Sequence, residues 1–200
     1  MTMTMDSFQD ALLQACMDCA AKTGWSRMTL AQAAKQAGYP IEQARQAFPS
    51  KAHILLSLNA QADQAALQQA QEDETTPREK LFDLLMSRFD VLQRYRPGIK
   101  ALMYTLPFNP CLSLWSGAHI ALSMKWMAEA AQIDTSGLKG HTFVKGLIAV
   151  WFYTLRIWAQ DKTDDLSKTM AALDSALGRL VKFPFLILEK PPLSAKKSSS

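Results

Sequence analysis

Residues 29–51, TLAQAAKQAGYPIEQARQAFPSK, constrain the fold of this chain most, because they predict two short helices joined by a tight turn. Gly38 supplies the positive φ that ends the first helix, and Pro40 suits the first turn of the second. Small apolar residues recur along one face of the first helix and permit a close helix crossing: Leu30, Ala33, Ala34 and Ala37. The segment therefore predicts a helix-turn-helix motif.

The second helix of this motif, at residues 41–48, has an apolar and a polar side. Ile41, Ala44 and Phe48 are predicted to face inward. The polar residues predicted to face outward are Glu42, Gln43, Arg45 and Gln46. In a DNA-binding motif of this kind the outward face contacts the major groove. The alternative is an ordinary helical hairpin with a polar outer face.

Apolar residues at helical spacing recur through the rest of the chain, and no stretch alternates as a strand would. Helix breaks are predicted at Gly24, at residues 75–77, at residues 96–98, at Pro107 and in the turn-rich residues 134–140. The predicted fold class is therefore all-α, with about nine helices.

This pattern divides the chain into three parts. Residues 1–51 form a helix-turn-helix head, residues 52–185 a larger helical body, and residues 186–200 a tail whose composition predicts disorder. Polar residues are predicted to cap three of these helices: Thr29, Ser50 and, for the last helix, either Thr163 or Asp164.

The sequence contains no recognisable catalytic or metal-binding pattern. Cys16 and Cys19 form a C-x-x-C, but they lie in an apolar helical run and no second ligand pair accompanies them. The three histidines are far apart, and no Gly-rich phosphate loop is present. We therefore expect no enzyme activity, no cofactor and no metal. The start of the chain does not resemble a signal peptide and no stretch is long enough to span a membrane, so a cytoplasmic location is expected.

The body is rich in aromatic residues and methionine, with five Trp and ten Met in 200 residues. This composition favours an adaptable apolar pocket for a small apolar or aromatic ligand, although a Trp at helical spacing is also typical of ordinary core. The candidate pocket residues are Tyr104, Phe108, Trp115, His119, Trp126, Trp151 and Arg156.

The helix around residues 144–158 is apolar on two sides and must be buried on two sides. One side is predicted to pack within the chain and the other, with the last helix, against a second copy. The predicted homodimer interface contains Ala149, Phe152, Tyr153, Met170, Leu173 and Leu177.

The order of three short helices, an Ala-Gly turn, a Phe-Pro-Ser-Lys corner and a helical body resembles the TetR family of bacterial transcriptional regulators. The matching head residues are Gly24, Thr29, Ala34, Ala37, Gly38, Phe48 and Lys51. The resemblance implies a homodimeric repressor that binds a palindromic double-stranded operator and is released by a ligand. It also implies DNA contacts from Thr29, Tyr39, Glu42, Gln43, Arg45, Gln46 and Lys51.

Within that resemblance, Thr29 and Lys51 would hold phosphates, and Gln43 and Gln46 would read base edges. The family usually has Val-Ser where this chain has Tyr-Pro at residues 39–40, and a phosphate-contacting Tyr where this chain has Arg45.

A second resemblance covers residues 151–177, WFYTLRIWAQDKTDDLSKTMAALDSAL, which are similar to the lipid-binding accessory proteins of ubiquinone biosynthesis. Those proteins share the TetR fold without acting on DNA. Residues 1–51 carry five basic and four acidic side chains, a net charge of only +1. A DNA-independent lipid- or quinone-binding protein with a vestigial head is therefore the alternative function.

Overall fold

A computed structural model describes residues 5–69, 76–163 and 165–182, and within these ranges the chain forms nine α-helices and no strand. The all-α prediction is confirmed. The predicted disordered tail and Asp164 lie outside the described residues. In chain order the helices are α1 (Met5–Thr23), α2 (Leu30–Ala37), α3 (Ile41–Ala47), α4 (Lys51–Gln69), α5 (Pro77–Arg94), α6 (Arg96–Thr105), α7 (Pro110–Ala130), α8 (Gly137–Gln160) and α9 (Ser167–Val181), with a 3-10 turn at Leu106–Phe108.

The predicted helix-turn-helix is present in α2 and α3. Thr29 caps α2 with a capping box, in which its Oγ1 accepts a hydrogen bond from the Gln32 backbone and the Gln32 side chain accepts one from the Thr29 N–H. Gly38 ends α2 in the left-handed region, with φ 77°. Ile41 is exposed, so its predicted inward orientation is wrong; it occupies the first position of α3.

The body is a layered helical bundle. α4 packs along α5 and against α7, while α8 packs along α9, which also contacts α5. Phe89 on α5 stacks on Trp151 of α8 with ring centroids 4.7 Å apart. Trp158, about two turns further along α8, also contacts the Phe89 ring, with centroids 6.0 Å apart. All three rings are buried. Burial of large aromatic surfaces joins α5 and α8 into one core.

The first helix connects the head to the body. α1 packs on α6 so closely that a Cβ added at Gly98 would lie 2.5 Å from the Met17 carbonyl oxygen. A polar chain adds to this contact: Tyr95 Oη donates to Gln61 Oε1 at 3.1 Å, and Gln61 Nε2 donates to Asp10 Oδ1 at 2.5 Å. The head is therefore tied both to α4 and to the α5–α6 joint.

Two predicted boundaries in the second half of the body differ from the structure. α8 begins at Gly137, inside the segment that was predicted as a connection. The start of α9 is not capped by Thr163: instead Asp161 accepts hydrogen bonds from the backbone and hydroxyl groups of Thr163 and of Thr169. Burial alone would raise the pKa of Asp161, but these four hydrogen bonds outweigh it and lower the pKa well below its usual value.

Candidate functional site

The outer face of α3 is polar and exposed. Ala44 is buried against α2, and this orientation leaves the four residues predicted to face outward in solvent: Glu42, Gln43, Arg45 and Gln46. Phe48, also buried, closes the end of the helix. The structure therefore brings these four side chains to one surface of the head. Their contact with DNA stays a prediction.

The other predicted DNA-contacting residues have structural partners in this chain. Tyr39 is half-buried and packs against the ring of Phe8, with centroids 4.6 Å apart and planes 84° apart. Thr29 uses its hydroxyl oxygen as the α2 cap. Both residues hold the α1–α2–α3 arrangement, whatever else they contact.

Lys51 lies at the first position of α4 and its Nζ donates to the carbonyl oxygens of Trp25 and Ser26, each at 2.9 Å. Partial burial lowers the pKa of this ammonium group. An ammonium group has three N–H donors, so one remains for a further acceptor. Lys51 fastens the loop between α1 and α2 to the start of α4.

The body contains a cavity of about 410 Å³ between α4, α5, α6, α7 and α8. This volume lies in the range of about 300–1,000 Å³ that is typical of small-molecule sites. Three of the predicted pocket residues line it: Trp115, His119 and Trp151. Phe152, which was predicted for the dimer interface, lines it too and is 44% exposed.

The remaining predicted pocket residues do not line this cavity. Tyr104 and Phe108 are 77% and 87% exposed, because the end of α6 and the 3-10 turn present them to solvent rather than to the body. Arg156 also lies on the surface of α8. Trp126 lines a separate open cleft of about 560 Å³ between α4 and α7, together with His119. The prediction that these four residues line this cavity is therefore wrong.

The cavity borders a buried polar cluster that the sequence analysis missed. Arg88 on α5 forms an ion pair with Asp63 on α4, and its NH2 group donates to Asn59 Oδ1 at 2.9 Å. The second oxygen of Asp63 accepts from Asn59 Nδ2 at 3.1 Å and from Ser123 Oγ at 2.7 Å. The signal was in the sequence, because Arg88 interrupts the apolar stripe of α5 at a helical repeat position: Leu81, Leu84, Leu85, Arg88, Phe89 and Leu92.

Arg88 is only 1% exposed, and burial lowers its pKa to about 9, so the guanidinium remains a cation at neutral pH. Its carbon Cζ lies 4.8 Å from the centroid of the Trp151 ring, at a cation–π distance. Both residues line the cavity. Arg88 Nε and Trp151 Nε1 are buried and make no hydrogen bond to the described protein groups, and the same holds for Ser116 Oγ on α7.

Only some of the residues predicted for the dimer interface are exposed in the single chain. Ala149, Phe152 and Tyr153 form an exposed stripe on α8. Leu173 and Leu177 are fully buried inside the single chain, so they are wrong as interface residues: their side of α9 packs on α8 and α5 of the same molecule. Met170 is half-buried.

The cysteine pair belongs to the core. Cys16 and Cys19 are buried in α1, and Cys19 Sγ donates to Gln36 Oε1 at 3.3 Å. Burial raises the pKa of Cys16 to about 12 and also raises that of Cys19. Cys111, at the start of α7, is exposed. The described ranges contain no group of three or more potential metal ligands, and no helix within them is long and apolar enough to cross a membrane.

Comparison with known proteins identifies the fold. No family model and no curated protein matches the sequence. A TetR transcriptional regulator from Nitrosomonas europaea ATCC 19718 superimposes with a TM-score of 0.74 at 18% identity, over 88% of this chain and 99% of that one. A TetR transcriptional regulator from Rhodococcus sp. RHA1 gives 0.63 at 18% identity, over 86% and 94%. A further Rhodococcus transcriptional regulator gives 0.51 at 17% identity, over 86% and 95%. The chain therefore has the fold of the TetR transcriptional regulators.

Proposed function

We propose that this protein is a DNA-binding transcriptional regulator of the TetR type, a homodimeric repressor that leaves its operator when a small apolar ligand occupies the body cavity. The observation that carries the proposal is the exposed polar face of α3, held by the capped α2 and the Gly38 turn in a chain with this fold. The cavity in the body supports the ligand-responsive part.

In this proposal α3 enters the major groove. Gln43 and Gln46 bind base edges, a side chain chemistry suited to adenine, and Arg45 binds a phosphate. The third N–H of Lys51 binds another phosphate. Two heads read a palindromic operator whose half-sites lie about 34 Å apart, one turn of the double helix.

Coupling between cavity and head follows from α4, which contributes to both. Asn59 lines the cavity, and Lys51 holds the α1–α2 loop at the start of the same helix. A ligand shifts the population toward the conformation that it binds better. We propose that this conformation places the two heads at a spacing that no longer fits successive grooves.

The decisive experiment is selection of bound fragments from the source genome, which is expected to yield a palindromic motif. On that motif, Arg45→Ala should weaken binding to all sequences alike and reduce the slope of log K against log salt by about 1, because one phosphate contact is lost. Lys168→Ala, an exposed charge on α9, is the matched control and should leave the slope unchanged. Sedimentation should show a dimer. No enriched fragment would contradict the proposal.

A second function is favoured by one observation, the net charge of only +1 on residues 1–51 beside an apolar cavity. In this alternative the protein carries a lipid or quinone and does not act on DNA. This alternative would be favoured if mass spectrometry detects a lipid extracted from the purified protein and the protein retains no genomic fragment.

A further inference from the structure

We propose that the cavity selects an uncharged, largely apolar molecule that carries a hydrogen-bond-accepting oxygen, and that Arg88 Nε and Trp151 Nε1 donate to this oxygen. The inference deepens the proposed function and rests on it for one point, that the cavity is the ligand site.

The side chains that carry the two donors are in contact. The Arg88 guanidinium is 4.8 Å from the centroid of the Trp151 ring, and each side chain is 1% exposed. Neither Arg88 Nε nor Trp151 Nε1 has a hydrogen-bond partner among the described protein groups. Buried donors are rarely left without an acceptor, since the cost of desolvation is then not recovered. Both residues line the cavity, so an oxygen of a bound molecule is the acceptor that this geometry fits.

The charge around the donors excludes an ionised group as the preferred partner. Asp63 already neutralises Arg88, and the remaining oxygen of Asp63 is bound by Asn59 and Ser123. Among the described residues that line the cavity, the titratable side chains are Arg88 and His119. A carboxylate ligand would therefore add a buried negative charge without a free counter-charge, while a cation would face two N–H donors. An uncharged carbonyl oxygen satisfies both donors at no such cost.

The cavity walls determine the chemistry of the rest of the ligand. They are apolar side chains from five helices, α4 to α8, among them Leu92, Ile99, Leu102, Met103 and Leu155. Methionine and leucine adapt to rings and chains of different shape without requiring a polar partner. Ser116 Oγ on α7 is a further donor without a partner, available to a second oxygen.

The test uses three probes of similar size: benzophenone, which has a ketone oxygen; diphenylmethane, which lacks it; and diphenylacetate, which is charged. Isothermal titration of the full-length protein should show benzophenone binding about tenfold tighter than diphenylmethane, the value of one good hydrogen bond. Diphenylacetate should bind more weakly than the ketone.

Trp151→Phe removes the indole N–H and keeps an aromatic ring on Phe89. It should reduce the preference for the ketone over the hydrocarbon by at least half on a logarithmic scale. Because the smaller ring also changes the cavity wall, the readout is the ratio of the two affinities and not either affinity alone. Trp126→Phe, in the separate open cleft, is the matched control and should keep the full preference. Urea unfolding of both variants checks that they are folded. Ser116→Ala removes a donor assigned to a second oxygen, which benzophenone lacks, and should also keep the full preference.

Equal binding of the three probes, tighter binding of diphenylacetate, binding by none of them, or a preference that survives Trp151→Phe would overturn the inference. The titration contains no DNA, so its outcome is independent of the operator selection. A ketone preference without DNA binding would contradict the repressor function and support the proposed ligand class. An operator without a ketone preference would support the repressor function and contradict the ligand class.

Discussion

Replacing Gly98 by alanine is expected to force α6 away from α1 and to lower the free energy of unfolding. An ideal Cβ at this position would lie 2.5 Å from the Met17 carbonyl oxygen, 2.8 Å from Met17 Cβ and 2.9 Å from Met17 Cα. Two of these atoms belong to the backbone of α1, so no side-chain rotation relieves the overlap. The contact matters for function because it joins the head to the body.

The expected magnitude combines two opposing effects. The helices must separate by about 0.9 Å to bring the 2.5 Å approach to the 3.4 Å of an ordinary contact. Overpacking of this kind costs about 1–3 kcal/mol. Alanine recovers at most about 0.5–1 kcal/mol over glycine through its higher helix propensity. Because the overlap is with backbone atoms, we expect the upper half of the overpacking range, about 2–3 kcal/mol, and hence a net loss of about 1–2.5 kcal/mol in the free energy of unfolding.

Gly117→Ala is the matched control within the same chain. Gly117 lies inside α7, and a Cβ there meets no atom within 4 Å, so only the helix propensity changes. This variant should gain about 0.5–1 kcal/mol. Urea unfolding followed by circular dichroism should therefore shift the midpoints of the two variants in opposite directions. A Gly98→Ala protein as stable as the parent would refute the reasoning from close approach.

Asp161 and the Asp63–Arg88 pair give two further predictions. Hydrogen bonds lower the pKa of Asp161, so its contribution to the stability of the fold is present above about pH 4 and is lost as the pH falls. The thermal unfolding temperature of Asp161→Asn should therefore depend less on pH between about 5 and 3 than that of the parent. Asp63→Asn leaves Arg88 buried without a counter-charge and should cost about 3–5 kcal/mol, whereas the double variant Asp63→Leu/Arg88→Met should recover most of this in urea unfolding. A double variant less stable than Asp63→Asn would contradict the second prediction.

Local chemistry made the head predictable. Thr29 and Gly38 act through hydrogen bonds and backbone angles within their own turns, so their roles could be read from neighbouring residues. Ile41 lies at the first position of α3 and is 37% exposed, although it belongs to the same apolar pattern as the buried Ala44. Periodicity identifies a stripe, but it does not say how far along the helix the packing partner extends.

The site in the body was less predictable, because it depends on which helices meet. Tyr104 and Phe108 were assigned to the pocket as aromatic residues, yet the end of α6 exposes Tyr104 and the 3-10 turn exposes Phe108. The stripe containing Leu173 and Leu177 was correctly read as a buried face, but a stripe does not specify whether its partner is the same chain or a second copy. Arg88 was overlooked because its counter-charge, Asp63, lies on another helix.

The cysteine chemistry has a practical consequence for following the ligand. A thiol reacts as the thiolate, and burial with a raised pKa withholds that form from Cys16 and Cys19. Cys111 is the one exposed thiol of the three, and Ser113, two residues further along α7, lines the cavity. A maleimide dye added to the unaltered protein should therefore label a single position, at the start of α7. Trp115 and Trp151, which line the cavity, can then serve as energy-transfer donors to this dye, so that the binding of a ligand is followed through them.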